Sequence, residues 1–297
     1  MIAIVLAAGK SKRIRSRTPK VLFPLLGRPV VSYPIEVARK SGARRIIVVV
    51  SPGSRLPEVV EGVEFAIQKS PLGTGDAVRT AMKKISGNHL ILVLNGDNPL
   101  IRVRTIKRMV KILKRKRVGG ILLTAVLNDP TGYGRIIKDR DGNILRIIED
   151  RNLRREEKKI KEINGGAYLF RIRPLREALK RIRLDPEKRE YLLTDTIAIL
   201  SRAGFKTIGF SSDPEEAMGI NTRKEYHQVC QIMKWRHLNR LLKKGVILEA
   251  PDTVIIDSDV EIESGVRVGP YVRIGKEVRI RSGTRIGPFS IIGDGQD

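Results

Sequence analysis

The chain opens with Ile2-Ala3-Ile4-Val5-Leu6, runs through Ala7-Ala8-Gly9-Lys10-Ser11-Lys12-Arg13 and reaches Pro19-Lys20. An unbroken apolar run ended by small residues and Gly predicts a strand buried on both faces, as in a parallel sheet covered by helices. Open α/β sheets bind ligands beyond the carboxyl ends of their strands, so the loop leaving this strand is the expected ligand site. Backbone N–H groups and a following helix N-terminus meet anions there. The cations Lys10, Lys12, Arg13 and Lys20 lie in or beside the loop. It has neither the Gly-Lys-Ser/Thr ending of a P-loop nor the three-glycine dinucleotide fingerprint. Taken alone, it reads equally as a solvated basic turn.

The residues that follow repeat the same theme. Val30 to Lys40 is amphipathic and ends at Gly42, and Ile46 to Val50 is a second apolar strand. This β-α-β order predicts right-handed crossovers in a parallel sheet. A third strand, Val63 to Ile67, leads into Gln68-Lys69-Ser70-Pro71-Leu72-Gly73-Thr74-Gly75. Glycines around a threonine let backbone approach a flat ligand, and the Gln68 amide matches the edge of a base; an ordinary capped turn has the same composition. The fourth strand, Leu90 to Leu94, ends at Asn95-Gly96-Asp97. A carboxylate at the tip of a central strand suits a divalent cation that bridges phosphates, or caps the next turn.

Further along, Val103 to Arg117 is a helix with Ile106, Met109, Val110 and Leu113 inward, and Ile121 to Leu127 is a strand. Arg135 to Lys138 and Ile144 to Ile148 flank Asp141-Gly142-Asn143, a hairpin signal that departs from β-α-β winding and predicts a lobe over the site. Glu149 ends that hairpin, and Glu162-Ile163-Asn164-Gly165-Gly166 opens a strand over Ala167 to Phe170. Thr194-Asp195 is the expected cap of a helix over Thr196 to Arg202, and Phe205 to Phe210 is a last strand. Thr222 is the expected N-cap of a long helix to about Lys244, stopped by Gly245.

From Val254 the pattern changes. Val254, Val260, Val266, Val272 and Val278 recur every six residues, each followed two places later by Ile or Val (Ile256, Ile262, Val268, Ile274, Ile280). Hexads of this kind predict a left-handed parallel β-helix, three hexads to a coil. Just over two coils are present, so an oligomer contact or a further continuation is expected.

Composition narrows the functions. There are 58 basic and 32 acidic residues, a net charge of +26, which draws anions: nucleic acid, a membrane surface or phosphorylated small molecules. The basic residues are spread along the chain, aromatics are 4%, and no zinc-finger or aromatic RNA-binding motif occurs, which argues against nucleic acid. Most of the excess reads as Lys and Arg coating helices, as in heat-adapted proteins. The single cysteine, Cys230, excludes an intramolecular disulfide and suits a reducing cytoplasm. The N-terminal run is too short for an anchor and lacks a basic leader, so no membrane association is expected.

In order and combination these motifs resemble one family. Leu6-Ala7-Ala8-Gly9-Lys10, Arg13, Pro19-Lys20-Val21-Leu22, Leu72-Gly73-Thr74-Gly75, Gly96-Asp97, Pro130-Thr131-Gly132-Tyr133-Gly134-Arg135-Ile136, Glu162-Ile163-Asn164, Thr194-Asp195 and Gly219-Ile220-Asn221 precede the long helix and the hexads. The chain is similar to the uridylyltransferase part of the bacterial bifunctional N-acetylglucosamine-1-phosphate uridylyltransferase/glucosamine-1-phosphate acetyltransferases. The resemblance implies an α/β, Rossmann-like nucleotidyltransferase domain with a mostly parallel sheet (1–221), a linker helix (222–248) and a short left-handed β-helix (249–297). It implies Mg²⁺-dependent transfer from UTP to N-acetylglucosamine-1-phosphate, with release of pyrophosphate, in a cytoplasmic homo-oligomer, a trimer by analogy.

Carried onto this chain, the family roles place Mg²⁺ on Asp97 and Asn221, and phosphate neutralisation on Arg13 and Lys20. Leu6, Ala7, Ala8 and Gly9 with Gln68, Gly73 and Thr74 would cradle the nucleotide, and Gly134, Glu149 and Asn164 the amino sugar. Three departures stand out. The family's Gly-x-Gly-Thr-Arg loop reads Gly9-Lys10-Ser11-Lys12-Arg13; an aromatic before Gly-Asp is Asn95; and the sugar loop's Asn-Thr-Gly is Asn164-Gly165-Gly166. The hexads end before the stretch that would carry an acetyltransferase site, so no acetyl transfer is expected from these residues. Another sugar-1-phosphate or dTTP is the alternative within the class, and a non-catalytic nucleotide- or nucleic-acid-binding scaffold is the alternative outside it.

Overall fold

The N-terminal run forms β1 (Ile2–Leu6), whose first four residues are buried, so both faces are covered. It lies between two parallel neighbours, β2 (Arg45–Val50) and β4 (Leu90–Asn95), with Leu6 level with Val49 and with Asn95. The structure is a computed structural model that describes every residue except Lys10, Lys12, Arg13, 186–188 and 294–297. Arg13, expected to neutralise phosphates, therefore lies outside the described residues.

Around this centre runs one nine-stranded sheet. Its other strands are β3 (Glu64–Ile67), β5 (Gly120–Val126), β6 (Arg135–Lys138), β7 (Ile144–Ile148), β8 (Glu162–Arg171) and β9 (Thr207–Ser211). The order is β9-β5-β8-β4-β1-β2-β3, with β6 paired to β8 and β7 to β6. β8 is antiparallel to both its neighbours, and β3-β2-β1-β4 and β9-β5 are parallel. The sheet is thus mixed and mostly parallel around the strand ends that matter. Helices cover both faces. α2 (Thr74–Met82), α4 (Ile172–Arg181) and α5 (Asp195–Arg202) share a core with Ile2, Ile4, Ile47, Val49 and Phe170. The alternate residues Ala3, Val5, Val48, Leu92 and Leu94 are equally buried, on the side of α1 (Ser32–Lys40) and α3 (Val103–Arg115).

Two expectations change. The β6–β7 hairpin is no separate lobe: Ile136, Ile144 and Ile147 enter the main core, and Arg135 pairs with Ile163 of β8. Thr194 does not cap α5, because its backbone is already helical and its hydroxyl donates to Glu149 Oε1 at 3.3 Å.

Two compact units divide the chain, Met1–Val21 with Val31–Ile220, and Leu22–Val30 with Asn221–Asp297. Leu22–Val30, which read as a loop of the first domain, belongs to the second unit. There Phe23 meets Tyr226 edge-on at 5.1 Å, and Ser258 donates its N–H to Leu26 O at 3.0 Å. α6 (Arg223–Lys243) begins with a reciprocal cap: Thr222 Oγ1 accepts from the Glu225 N–H at 3.2 Å, while the Glu225 carboxylate accepts from the Asn221 N–H at 2.9 Å. Leu238 and Leu241 of this helix pack on the hexad residues.

The hexads form three small parallel sheets. Ile255–Ile256 pairs with Arg273–Ile274 and that with Ile291–Ile292; Glu261–Ile262 pairs with Arg279–Ile280; Arg267–Val268 pairs with Arg285–Ile286. Each partner is three hexads away, which makes an eighteen-residue repeat with three faces. Ile247–Leu248, read as the end of the linker, pairs with Arg267–Val268 and joins it. Val254, Val266, Val268, Val272 and Ile274 are fully buried, while Arg267 and Arg279 point outward.

Candidate active site

The carboxyl ends of β1 and β4 lie side by side, and the Gly96 N–H donates to Leu6 O at 2.9 Å. Two loops therefore leave the sheet centre together. Over them opens a cavity of about 390 Å³ lined by Leu6, Ala7, Ala8, Gly9, Ser11 and Lys20 from the first loop, Gln68, Pro71, Gly73, Thr74 and Ala77 from the β3–α2 loop, Asn95 and Asp97 from the tip of β4, and also Val21 and Glu190. A volume in this range, at the strand ends of an open α/β sheet, suits a small-molecule ligand.

At the floor of the cavity the Lys20 ammonium forms an ion pair with Asp97. Their side chains are 15% and 18% exposed, so the pair is screened less than a surface bridge. Both backbones are held. The Lys20 N–H donates to Ser11 Oγ at 3.0 Å, and Asp97 O accepts from the Ile220 N–H at 2.9 Å. The next residue along from Asp97, Asn98, is buried and donates to Gly165 O at 3.3 Å and Glu216 O at 3.0 Å, which fixes the turn after β4. The buried Glu216 carboxylate in turn accepts from the Arg102 N–H and the Thr105 hydroxyl, both at 2.9 Å.

Among the described residues no group of three or more His, Cys, Asp or Glu could hold a metal ion. A single carboxylate facing an open cavity nevertheless fits Mg²⁺, which takes one or two protein carboxylates and completes its shell with phosphate oxygens and water. Asn221, the other expected ligand, follows Ile220 and begins the C-terminal segment of the second unit.

On the opposite wall the β3–α2 loop is tightly braced. Gln68 is buried, and its amide nitrogen donates to Gly73 O at 3.0 Å and to Asp76 Oδ2 at 2.8 Å. Its nitrogen is thereby committed to the loop. Gly73 has φ +93°, and a Cβ there would stand 2.7 Å from Tyr191 O. Only glycine satisfies both demands, so this residue serves protein packing as much as ligand approach. Thr74 Oγ1 accepts from the Leu193 N–H at 3.0 Å, and the Tyr191 N–H donates to Leu72 O at 2.7 Å. The segment Glu190–Leu193 thus closes against the loop, and this is what brings Glu190 to the cavity.

The expected sugar residues form a second group. Gly134 O accepts from the Asn164 N–H at 2.9 Å, and Asn164 Nδ2 donates to the Tyr168 hydroxyl at 2.6 Å. Burial pushes the Tyr168 phenol well above its ordinary value, so it stays protonated. Between Asn164 and Tyr168 the β8–β5 register slips, a bulge of the kind that re-aims side chains beside functional sites. Gly166 lies in it at φ +74°, where a Cβ would stand 2.6 Å from Asn95 Nδ2. Asn95 thereby joins the cavity to the bulge. Glu149, held by Thr194, completes the group; Gly134, Glu149 and Asn164 do not line the cavity itself.

Glu190 and the Asn98–Glu216 support were not among the expected residues. Glu190 belongs to a two-residue strand, Glu190–Tyr191, paired with Leu184–Asp185, too short to carry a periodic signal. Nothing in the local sequence marks Glu216 as buried.

Comparison with known proteins supplies the rest. Residues 3–190 match the MobA-like NTP transferase domain. Similar proteins include the bifunctional protein GlmU of Caldanaerobacter subterraneus subsp. tengcongensis, 38% identical over 264 residues, covering 88% of this chain and 58% of that protein. The protein of the same name from Geotalea uraniireducens is 39% identical over 280 residues, 92% of this chain and 61% of its own length. That of Clostridioides difficile is 37% identical over 275 residues, with 92% and 60% covered. This chain therefore spans about three fifths of the length of these relatives. The matched residues contain all of β1 but Ile2, the Gly loops and Asp97, and the chain belongs to the MobA-like NTP transferase family.

Proposed function

We propose that this chain transfers a uridylyl group from UTP to N-acetylglucosamine-1-phosphate, giving UDP-N-acetylglucosamine and pyrophosphate. The observation that carries the proposal is the Lys20–Asp97 pair, held from both backbones, at the floor of a cavity walled by two Gly loops. The relatives named GlmU support the sugar-nucleotide reading.

In this reaction an oxygen of the sugar phosphate attacks the α-phosphorus, the bond from that phosphorus to the bridging oxygen breaks, and pyrophosphate leaves. The nucleophile is already an anion, so no side chain has to remove a proton. The residues have to align the two phosphates and neutralise charge. Lys20 and Arg13 would meet the triphosphate. The backbone of Leu6 to Gly9, with Gln68, Gly73 and Thr74, would hold the base and ribose, and Gly134, Glu149 and Asn164 the sugar. Asp97 and Asn221 would hold Mg²⁺, which when bound supplies charge neutralisation on the phosphates.

The eighteen-residue repeat is proposed to wind as a left-handed parallel β-helix and to serve assembly, as a homo-oligomer and by analogy a trimer, in the cytoplasm. No acetyl transfer is proposed for residues 1–297. Pyrophosphate release tests the substrate assignment, using UTP, dTTP, CTP and ATP against a panel of sugar-1-phosphates. Preference for UTP with N-acetylglucosamine-1-phosphate is the expected result. A tenfold or greater preference for another pair would reassign the substrate, and acetyl-CoA consumption by this chain would overturn the single-activity claim.

A further inference from the structure

We propose that Ser11 is a positioning residue for the triphosphate site, its hydroxyl fixing the backbone from which Lys20 reaches Asp97; the assignment rests on the nucleotidyl-transfer reading above. The loop from β1 to Lys20 is rich in Lys and Arg, and Lys carries its charge on a flexible four-carbon stem. A cation on such a stem aids phosphoryl chemistry only when its Cα end is held. Here Ser11 holds it. Its Oγ accepts the Lys20 N–H at 3.0 Å, one bond across nine positions of sequence. Ser11 is itself anchored, because its carbonyl accepts from the Ile14 N–H at 3.0 Å, and Ile14 is 1% exposed.

The backbone argues that the hydroxyl matters. Ser11 has φ +49°, the left-handed region that costs a residue with a Cβ and suits glycine. Glycine would adopt this conformation more easily, but it has nothing to offer the Lys20 N–H. Serine bears the conformational cost and supplies the acceptor. Ser11 also lines the cavity, so the bond lies at the site and not behind it. At the far end of the Lys20 side chain the Asp97 contact gives the fixed backbone a defined target.

Two substitutions separate hydroxyl from backbone. Ser11→Gly removes the acceptor and relieves the left-handed cost, whereas Ser11→Ala removes the acceptor and keeps that cost. UTP affinity is read by calorimetry, kcat and KM by pyrophosphate release, folding by thermal melting, and the loop itself by hydrogen exchange of the Lys20 amide. Both variants are expected to weaken UTP binding about tenfold, the scale of one lost hydrogen bond to a partly buried group. The Lys20 amide is expected to exchange faster in Ser11→Gly although the melting point does not fall. In a Lys20→Met background, adding Ser11→Gly is expected to change nothing further, since a residue that acts through Lys20 has no effect without it.

Native-like binding by Ser11→Gly beside a weakened Ser11→Ala would assign the effect to backbone strain and overturn the proposal. So would a Ser11→Gly loss that persists undiminished in the Lys20→Met background, or unchanged exchange at Lys20. A native chain that neither binds nor turns over any nucleoside triphosphate overturns the nucleotidyl-transfer reading instead. A native chain that does both, with Ser11→Gly unimpaired, overturns the Ser11 assignment alone.

Discussion

The cavity at the strand ends and the hexad repeat solve opposite problems. In the repeat, paired positions eighteen residues apart do the same job, Ile256 and Ile274 filling the inside while Arg267 and Arg285 face water. In the cavity no residue repeats another. Lys20 meets Asp97, 77 positions along, and Thr74 meets Leu193, 119 positions along. The repeat spreads its stability over many equivalent contacts; the cavity concentrates its function in a few unequal ones. Substitutions in the cavity should therefore cost activity, and substitutions in the repeat should cost stability.

The sharpest break is Asp97→Ala. Removing the carboxylate that faces both Lys20 and the cavity is expected to lower pyrophosphate release by about 10²–10³-fold, measured as kcat, which is the scale for losing a preorganised electrostatic group. A loss below threefold would remove Asp97 from the site.

Next comes a pH effect in the second unit. His237 is buried in α6, and burial, with the nearby Arg240 guanidinium, pulls its imidazole down to about 4. Asp257, through the backbone, and the Asp259 charge act in the opposite sense and are the weaker influences. The unfolded chain takes up this proton below its ordinary value near 6.5, but the folded chain does not until about 4. Stability from this group is complete above 6.5, falls as pH drops towards 4 and is then constant, an effect on the order of 3 kcal/mol. Urea midpoints at pH 7 and pH 4.5 should show it, and His237→Gln should flatten the difference. Equal pH dependence in the two chains would place the effect elsewhere.

Gly73→Ala forces a Cβ into the left-handed region and against Tyr191 O, and is expected to destabilise the first unit by about 2–3 kcal/mol. Denaturant unfolding measures it. Because the same change moves the cavity wall, this is the one substitution expected to cost both stability and UTP affinity. Smaller still, Val266→Ala leaves a gap in the core shared by the hexad sheets and is expected to cost about 1–2 kcal/mol with kcat unchanged, while Arg267→Ala beside it stays within about 0.5 kcal/mol. If the two neighbours cost the same, the inside-outside reading of the hexads is wrong.

The same contrast governs what the sequence could tell. The hexads were legible because six-residue spacing is itself the structure, and β1 was legible because five apolar residues in a row have few places to go. The loops at its end were legible as composition: Gly9, Lys20, Gln68, Gly73, Thr74 and Asp97 do line one cavity. Their contacts were not. That Lys20 pairs with Asp97, and that Gln68 gives its amide nitrogen to Gly73 and Asp76, depends on pairings that no local pattern encodes. Glu190 was hidden for the same reason, since it reaches the cavity only because Gly73 and Gly75 admit the Tyr191 backbone. The expected Thr194 cap is absent because its backbone is already helical and its hydroxyl donates to Glu149, far away in sequence. Asn95 and Gly165 stand out as departures in the sequence, but the fit of Asn95 against Gly166 comes only from the bulge in β8.

Transfer of a uridylyl group at the cavity beyond the carboxyl ends of β1 and β4 is the step on which the predictions about activity depend. It is tested most directly by following the α-phosphate: UTP labelled there is incubated with N-acetylglucosamine-1-phosphate and Mg²⁺, and the label is traced. Label is expected in a UDP-sugar, with one pyrophosphate released for each and near loss of both in Asp97→Ala. Label that stays in UTP with every sugar-1-phosphate, or that transfers at the native rate in Asp97→Ala, would contradict it.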